Sequence, residues 1–446
     1  MRKKLSIAAI VTGVLLLTAC AAGNGQSQSA GNARGSGGQE KAQSREQNEA
    51  SSESSEEMQG KMPGEEAELK GELTILSWFP NAEFTWEAVI ESFTKEHPGV
   101  TITVDCPKEQ EMYFENYATK IMSGEGYDIV QEADFASSQK GWDELGLFAD
   151  LYEFMESDEN FHKEDYFSCI YGPMETDGKL YSFLRNAAPV YIRMNKRLLE
   201  QAEVEYDKET INFDELYEIY EKVREKCGEK IYLTEDAYYN PMSVYEETYY
   251  VQNNLLDTDE YEEYLRKNHA MCYETEKRNV YSEFGQGIAS DVLCRVLGIN
   301  LQSADLVNDI FNGTEDFTPA ISYVSMHGER YLASTNSLSI SSFSENKALA
   351  WEFLKFVVGN YNVDYRDAGF LPPNKERTTA KCEGVEPKIR EKLFQDIEAI
   401  NAACSVNINL SRNLEVILED YYINNTLTAK ECRKQMADRV YLYMNE

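Results

Sequence analysis

Between Leu73 and Val130 the chain alternates between a strand period and a helix period, and this switching constrains the fold more than any other feature. Leu73 to Trp78 is a short apolar run suited to a buried strand, closed by Pro80-Asn81. Trp86, Val89, Ile90 and Phe93 recur at helical spacing until Pro98-Gly99, after which Val100, Ile102 and Val104 alternate as a strand does. A second helical stretch around Tyr113 to Met122 stops at Ser123-Gly124, and Tyr127 to Val130 supplies a third strand. Strand, helix, strand, helix, strand predicts an α/β fold on a parallel sheet with right-handed crossovers. Ligands of such sheets lie beyond the carboxyl ends of the strands. Those ends are Trp78-Phe79-Pro80-Asn81 and Gln131-Glu132-Ala133-Asp134-Phe135.

Farther along, Asn212 and Glu215 have capping-box spacing, followed by the stripe Leu216, Ile219, Tyr220 and Val223. Ser344 is positioned to cap a helix with the face Ala350, Phe353, Leu354 and Val357, and Gly359 to stop it. The tyrosine-rich stretch from Tyr238 to Tyr281 has no clear period. A body this long exceeds the size at which one hydrophobic core stops growing, so two lobes are expected.

The N-terminus sets the address. Arg2, Lys3 and Lys4 precede an apolar run, Leu5 to Leu17, that is too short to span a bilayer and reads as an export signal. Leu17-Thr18-Ala19-Cys20 resembles the lipobox of bacterial lipoproteins, which implies a signal peptide at 1–19, cleavage before Cys20 and lipid, palmitate included, at that cysteine. Several acyl chains there would anchor stably where one would not. The alternative is an ordinary secretory signal with an incidental cysteine. From Ala21 to about Lys70 the chain has no aromatic residue and cannot bury enough apolar surface to offset its ordering entropy. Residues 20–70 are therefore expected to be lipidated Cys20 and a disordered tether.

The formal net charge of −35, three units more negative once Arg2, Lys3 and Lys4 leave, disfavours nucleic acid as a partner. With 78 Asp and Glu, paired carboxylates arise everywhere by chance and mark no active site. The cysteines form no C-x-x-C pair and the four histidines lack metal-ligand spacing, so no metal or other cofactor is expected, while disulfides among the eight body cysteines stay open.

Six phrases in order resemble the extracellular solute-binding proteins of ABC transporters, family 1, whose known members mostly carry carbohydrates. They are Leu73 to Trp78, Phe93 to Val100, Tyr127-Asp128-Ile129-Val130, Leu145 to Leu151, Asp177 to Leu184 followed by Met194 to Leu199, and Ser344 to Phe356, the last being the most specific. The resemblance implies a two-lobed periplasmic-binding-protein-like fold of type II, with hinge-linked lobes and a ligand cleft between them. It places 71–184 plus 323–371 in lobe 1 and 185–322 plus 372–446 in lobe 2. Gly328-Glu329-Arg330-Tyr331 departs from the pattern, where the family usually has a Trp and a proline-containing strand.

A sugar offers hydroxyls at its rim and C–H faces above and below, so a receptor needs flat aromatic surfaces and convergent polar groups. Trp78 and Phe79 are candidates for stacking, with Asn81 and Glu83 as hydroxyl partners; Trp78 reads equally as a core residue. Glu132 and Asp134, beside Phe135, either accept from hydroxyls or are solvated surface acids. Arg185 and Asn186 match the position where the family's chain crosses between lobes, where a guanidinium forks to ligand oxygens or forms an interlobe ion pair. Tyr238, Tyr239 and Tyr331 are candidates for the opposite wall.

The expected function is capture of a carbohydrate, an oligosaccharide above all, by a monomeric lipoprotein anchored on the extracytoplasmic face of the cell membrane, and delivery to ABC transporter permease subunits. The same fold could instead take a peptide, polyamine or other polar solute. A surface glycoside hydrolase is disfavoured because the resemblance fills the body and no G-x-S-x-G, H-E-x-x-H or Cys/His arrangement is present. No catalytic residue is assigned, so the protein is not expected to be an enzyme.

Overall fold

The computed structural model describes residues 69–77, 82–106, 120, 126–131, 146–176, 178–185, 187–234, 240, 242–272, 291–298, 303–332, 337–360, 371–403 and 408–445. The expected signal, Cys20 and the tether up to residue 68 lie outside the described residues, as does all of the expected helix around 113–122 but Lys120, whereas Leu69 and Lys70, expected in the tether, belong to the folded body, where Lys70 opens β1. In chain order the main elements are β1 (Lys70–Leu76), α1 (Ala82–Glu96), β2 (Gly99–Asp105), β3 (Ile129–Gln131), α2 (Leu151–Ser157), β4 (Glu175–Thr176), β5 (Lys179–Leu180), β6 (Phe183–Leu184), β7 (Val190–Met194), α3 (Lys196–Gln201), β8 (Thr210–Ile211), α4 (Phe213–Cys227), α5 (Ser243–Gln252), α6 (Asp259–Cys272), β9 (Cys294–Gly298), α7 (Ala304–Asn312), β10 (Ile321–Tyr323), β11 (Ser337–Ile340), α8 (Lys347–Lys355), α9 (Lys375–Lys381), α10 (Pro387–Glu398), α11 (Ile408–Tyr422) and α12 (Ala429–Asn445).

The first sheet has the order β2-β1-β3-β11-β6. Its first three strands are parallel, with Leu76 opposite Asp105 and Val130, so their carboxyl ends lie level at one edge. β11 returns from far along the chain and pairs antiparallel with both β3 and β6. The apolar stripe of α1 is why that helix lies on this sheet: Trp86, Val89 and Phe93 are buried in one core with Leu73, Ile75 and Ile129. Phe353 of α8 closes the core, its ring edge-on to Phe93 at 5.0 Å.

The second sheet has the order β8-β10-β7-β9. On β7, Val190, Ile192 and Met194 face a separate core built with Phe213, Leu216, Ile219, Tyr220 and Val223 of α4, while Tyr191 faces the first core, as strand alternation requires. α4 opens with the capping box read in the sequence: the Asn212 side chain accepts from Glu215 N–H at 2.9 Å and Glu215 accepts from Asn212 N–H at 3.2 Å. These two larger sheets, each on its own core, with the small β4-β5 pair beside them, make a mixed α/β fold in two lobes.

Some local expectations are revised. Asn346, not Ser344, occupies the N-cap of α8. The Ser344 hydroxyl donates to Asp128 Oδ1 at 2.5 Å and accepts from Asn346 N–H at 3.0 Å, tying the helix to the start of β3. Gly359 does not stop that helix, because Phe356–Asn360 continue as a π-helical turn. The glycine is needed for closeness: a Cβ there would meet the Tyr166 hydroxyl at 2.7 Å. Within 238–281, α5 and α6 are both helical; residues 238, 239, 241 and 273–281 lie outside the described residues.

Among the described residues, the chain leads from the first sheet to the second between Leu184 and Val190 and back between Tyr323 and Ser337, α10 of the first core precedes α11 of the second, and Val307 and Ile310 of α7 also join the first core. Described residues of these stretches, 189, 330–332 and 401–402, run side by side. Pro189 pairs with Leu332, Leu332 N–H donates to Ala402 O at 3.1 Å, and Asn401 N–H donates to Arg330 O at 3.0 Å. Residues 372–403, expected with everything to the C-terminus in lobe 2, instead give Cys382, Val385, Ile389, Leu393 and Ile397 to the first core. The stripe Ile389, Leu393, Ile397 announces an apolar face without saying which core receives it.

Candidate functional site

The carboxyl ends of the three parallel strands carry Ser77, Asp105 and Gln131. Each is fixed by hydrogen bonds. The Ser77 hydroxyl donates to Gln131 Oε1 at 2.5 Å, and the Trp86 indole N–H reaches Gln131 Oε1 at 3.1 Å and Ser77 Oγ at 3.2 Å. Trp86 is 0 % exposed, so its ring is structural, and its one polar atom is spent on aligning the two strand ends. Backbone extends the lattice: Ser77 N–H donates to Asp105 O at 2.9 Å.

Asp105 anchors a second group. Its carboxylate accepts from the Tyr127 hydroxyl at 2.5 Å and pairs with Lys120 at 3.2 Å, while Lys120 also lies 4.4 Å over the Tyr127 ring. The Tyr127 hydrogen bond is the main reason the Asp105 carboxyl is held below its ordinary range. Burial is the main reason the Tyr127 phenol is pushed up. A negative Asp105 and a neutral Tyr127 thus coexist at the end of β2.

Arg185 follows β6, where the first passage between the cores begins. Its guanidinium lies 4.8 Å over the Trp86 ring. The same Trp86 ring that carries this half-buried cation donates to both Ser77 and Gln131, which ties Arg185 to the strand ends. A guanidinium so placed is suited to grip two oxygens at once.

Of the other expected site residues, Trp78, Phe79, Asn81, Glu132, Asp134, Phe135, Asn186, Tyr238 and Tyr239 lie outside the described residues. Glu83 is on the first turn of α1, and its side chain is likewise outside them. Tyr331 is placed differently from expectation: it is 3 % exposed, 5.3 Å from the Tyr245 ring, and packs within the second core. In this arrangement the ring has no open face to offer. Ser77 and Asp105 were not singled out in the sequence, although they follow or end strands, and Tyr127, two residues before β3, reaches this edge only through its bond to Asp105.

Below Tyr331 is a buried carboxyl. Glu246, 0 % exposed, accepts from the Tyr323 hydroxyl at 2.5 Å and from Met326 N–H at 3.2 Å, and desolvation pushes its pKa up to about 8. It fastens the start of the second passage to α5. Among the described residues, no group of His, Cys, Asp and Glu could hold a metal ion, and no helix is long and apolar enough to cross a membrane.

The fold recurs in solved proteins. An ABC substrate-binding protein from Listeria monocytogenes, in complex with cycloalternan, is similar over 84% of this chain and 99% of that one, at 17% identity and a TM-score of 0.57. The cyclic alpha-maltosyl-1,6-maltose binding protein of Arthrobacter globiformis is similar over 84% and 100%, at 14% identity and 0.56. The GacH receptor of Streptomyces glaucescens, known unliganded and with acarbose, is similar over 85% and 100%, at 15% identity and 0.54. These likenesses establish the type II, two-lobed fold. Among curated proteins no sequence matches. The model of the bacterial extracellular solute-binding proteins matches residues 80–362, more than half of the chain and parts of both sheets, and the family is one of binding proteins outside the cytoplasm. The chain belongs to the bacterial extracellular solute-binding proteins.

Proposed function

We propose that this protein captures a carbohydrate, an oligosaccharide in particular, outside the cell and passes it unaltered to an ABC transporter permease. The family match carries the reading. It is supported by three structural relatives whose names or bound molecules are cycloalternan, a cyclic maltosyl-maltose and acarbose. The buried strand-end lattice supplies a rigid floor for recognition, with a guanidinium on an aromatic plane beside it.

In this reading Trp78 and Phe79 stack on the sugar, Asn81, Glu83, Glu132, Asp134 and Asn186 exchange hydrogen bonds with its hydroxyls, Phe135 closes one side, and Arg185 forks to two oxygens. The lobes are 71–184 with 323–403 and 185–322 with 404–446, and the cleft between them shuts by hinge motion. Cys20 carries the lipid anchor, the stretch from 21 to the start of the folded body is the tether, and the protein acts as a monomer without catalysis. Selectivity then comes from pairing: an analogue lacking a hydroxyl leaves a buried partner unsatisfied.

A melting screen of the protein against maltooligosaccharides, cyclic glucans, acarbose, peptides and polyamines tests this. A sugar at a hundred times its dissociation constant adds about 2.7 kcal/mol of apparent stability. A shift with peptides or polyamines and none with any sugar would replace the carbohydrate reading with another solute. Release of shortened glycan would replace it with hydrolysis.

A further inference from the structure

Strand β7, the segment after Tyr323 and helix α10 meet at one buried carboxylate. Asp396, on α10 and 6 % exposed, accepts from the Tyr191 hydroxyl at 2.8 Å, from Arg330 at 3.3 Å and from Lys392 at 3.0 Å. Tyr191 is on β7; Arg330 is in the segment after Tyr323; and α10 leads into Asn401 and Ala402, which bond the Arg330 backbone. Lys392 extends the group to Glu209 at 3.7 Å, next to β8 in the second sheet. One carboxylate thus holds a donor from each lobe and one from between them.

Stability alone does not call for this arrangement. A buried ion pair seldom outperforms apolar packing of the same volume, and its attested use is to fix one geometry among several. The position matters because β7, the segment after Tyr323 and the end of α10 stand where the chain leads from one core to the other. Whatever orients them orients the lobes. Tyr191 couples the carboxylate to a further element, since its hydroxyl is on Asp396 while its ring meets Phe311 of α7 edge-on at 5.2 Å.

We propose that Asp396 is the positioning residue of the hinge: by gathering Tyr191, Arg330 and Lys392 on one carboxylate it fixes the axis about which the lobes turn and sets the resting opening of the cleft. The proposal rests on the reading that the lobes close on a solute, and its test needs no solute.

The test uses the full chain, free of sugar, with fluorescent labels on bio-orthogonal side chains at exposed Lys95 of α1 and Glu225 of α4. The distribution of lobe-to-lobe distances is read by single-molecule energy transfer. Asp396→Ala is expected to shift the mean and widen the distribution about twofold. Asp396→Glu is expected to restore it. Arg330→Gln, which leaves the carboxylate and Tyr191 in place, is expected to widen it less and decides the matter if Asp396→Ala does not fold. An unchanged distribution in the folded Asp396→Ala or Arg330→Gln protein, with only a lower melting temperature, overturns the proposal. Absence of sugar binding in the wild type would count against the proposed function and leave this result standing on its own.

Discussion

Arg185 is the candidate site residue whose side chain is described in place beside the strand ends, its cation over the Trp86 ring that bonds Ser77 and Gln131. Arg185→Ala is expected to weaken sugar binding by about tenfold or more, the cost of losing a charge-assisted pair, while moving the melting temperature little. Calorimetric titration beside a melting curve checks both. Glu246 bears instead on how stability depends on pH. Its folded pKa, raised to about 8, lies above the ordinary carboxyl value, so the folded protein holds this proton more tightly than the unfolded chain. The contribution is therefore complete below the unfolded value and is lost as pH rises through about 8. At pH 9 the wild type should be less stable than Glu246→Gln by an amount on the order of a few kcal/mol, a gap that closes toward pH 5. Glu247 is raised to about 8 as well, chiefly by burial, so the comparison of variant with wild type, not the wild-type curve alone, isolates Glu246.

At the level of elements, readability followed how local the determining physics was. The capping box of α4 is settled by residues three apart, and its expected reciprocal bonds are present. Asn212→Ala should cost about 1 kcal/mol in a denaturant melt. The stripes of α1 and α8 were equally plain, since each lies on one sheet. Gly359 was misread because its reason is distant: the Tyr166 hydroxyl, held by the ring's stacking on Phe161 at 5.0 Å, occupies the space a Cβ needs. Gly359→Ala should destabilise by about 1–3 kcal/mol, and adding Tyr166→Phe should recover part of that loss. A double-mutant cycle in which the two effects simply add would contradict this contact. α5 and α6 escaped periodicity because tyrosine packs into a core while its hydroxyl still needs a partner: Tyr245, Tyr250, Tyr261 and Tyr264 are all buried there. Tyr331 belongs to the same aromatic packing, so counting tyrosines could not separate a wall of the site from the core behind it.

At the level of the molecule, size predicted two cores and the alternation from Leu73 to Val130 predicted which way the first sheet runs. What periodicity could not supply was the partner of each amphipathic face, which is why α9 and α10 were expected in the other lobe. The same limit applies to the site. Strand ends are legible from periodicity, whereas the lattice of Ser77, Gln131 and Trp86 that fixes them depends on contacts across 54 residues of chain. The strongly negative surface that keeps such a protein dispersed also implies that salt affects its stability more than its capture of a neutral sugar. The central claim is that two lobes shut on a carbohydrate without changing it, and solution scattering of the protein across a glycan panel addresses it most directly. At least one glycan is expected to lower the radius of gyration saturably and to be recovered intact; a radius that stays constant through the whole panel, or that falls only with a non-sugar solute, would contradict it.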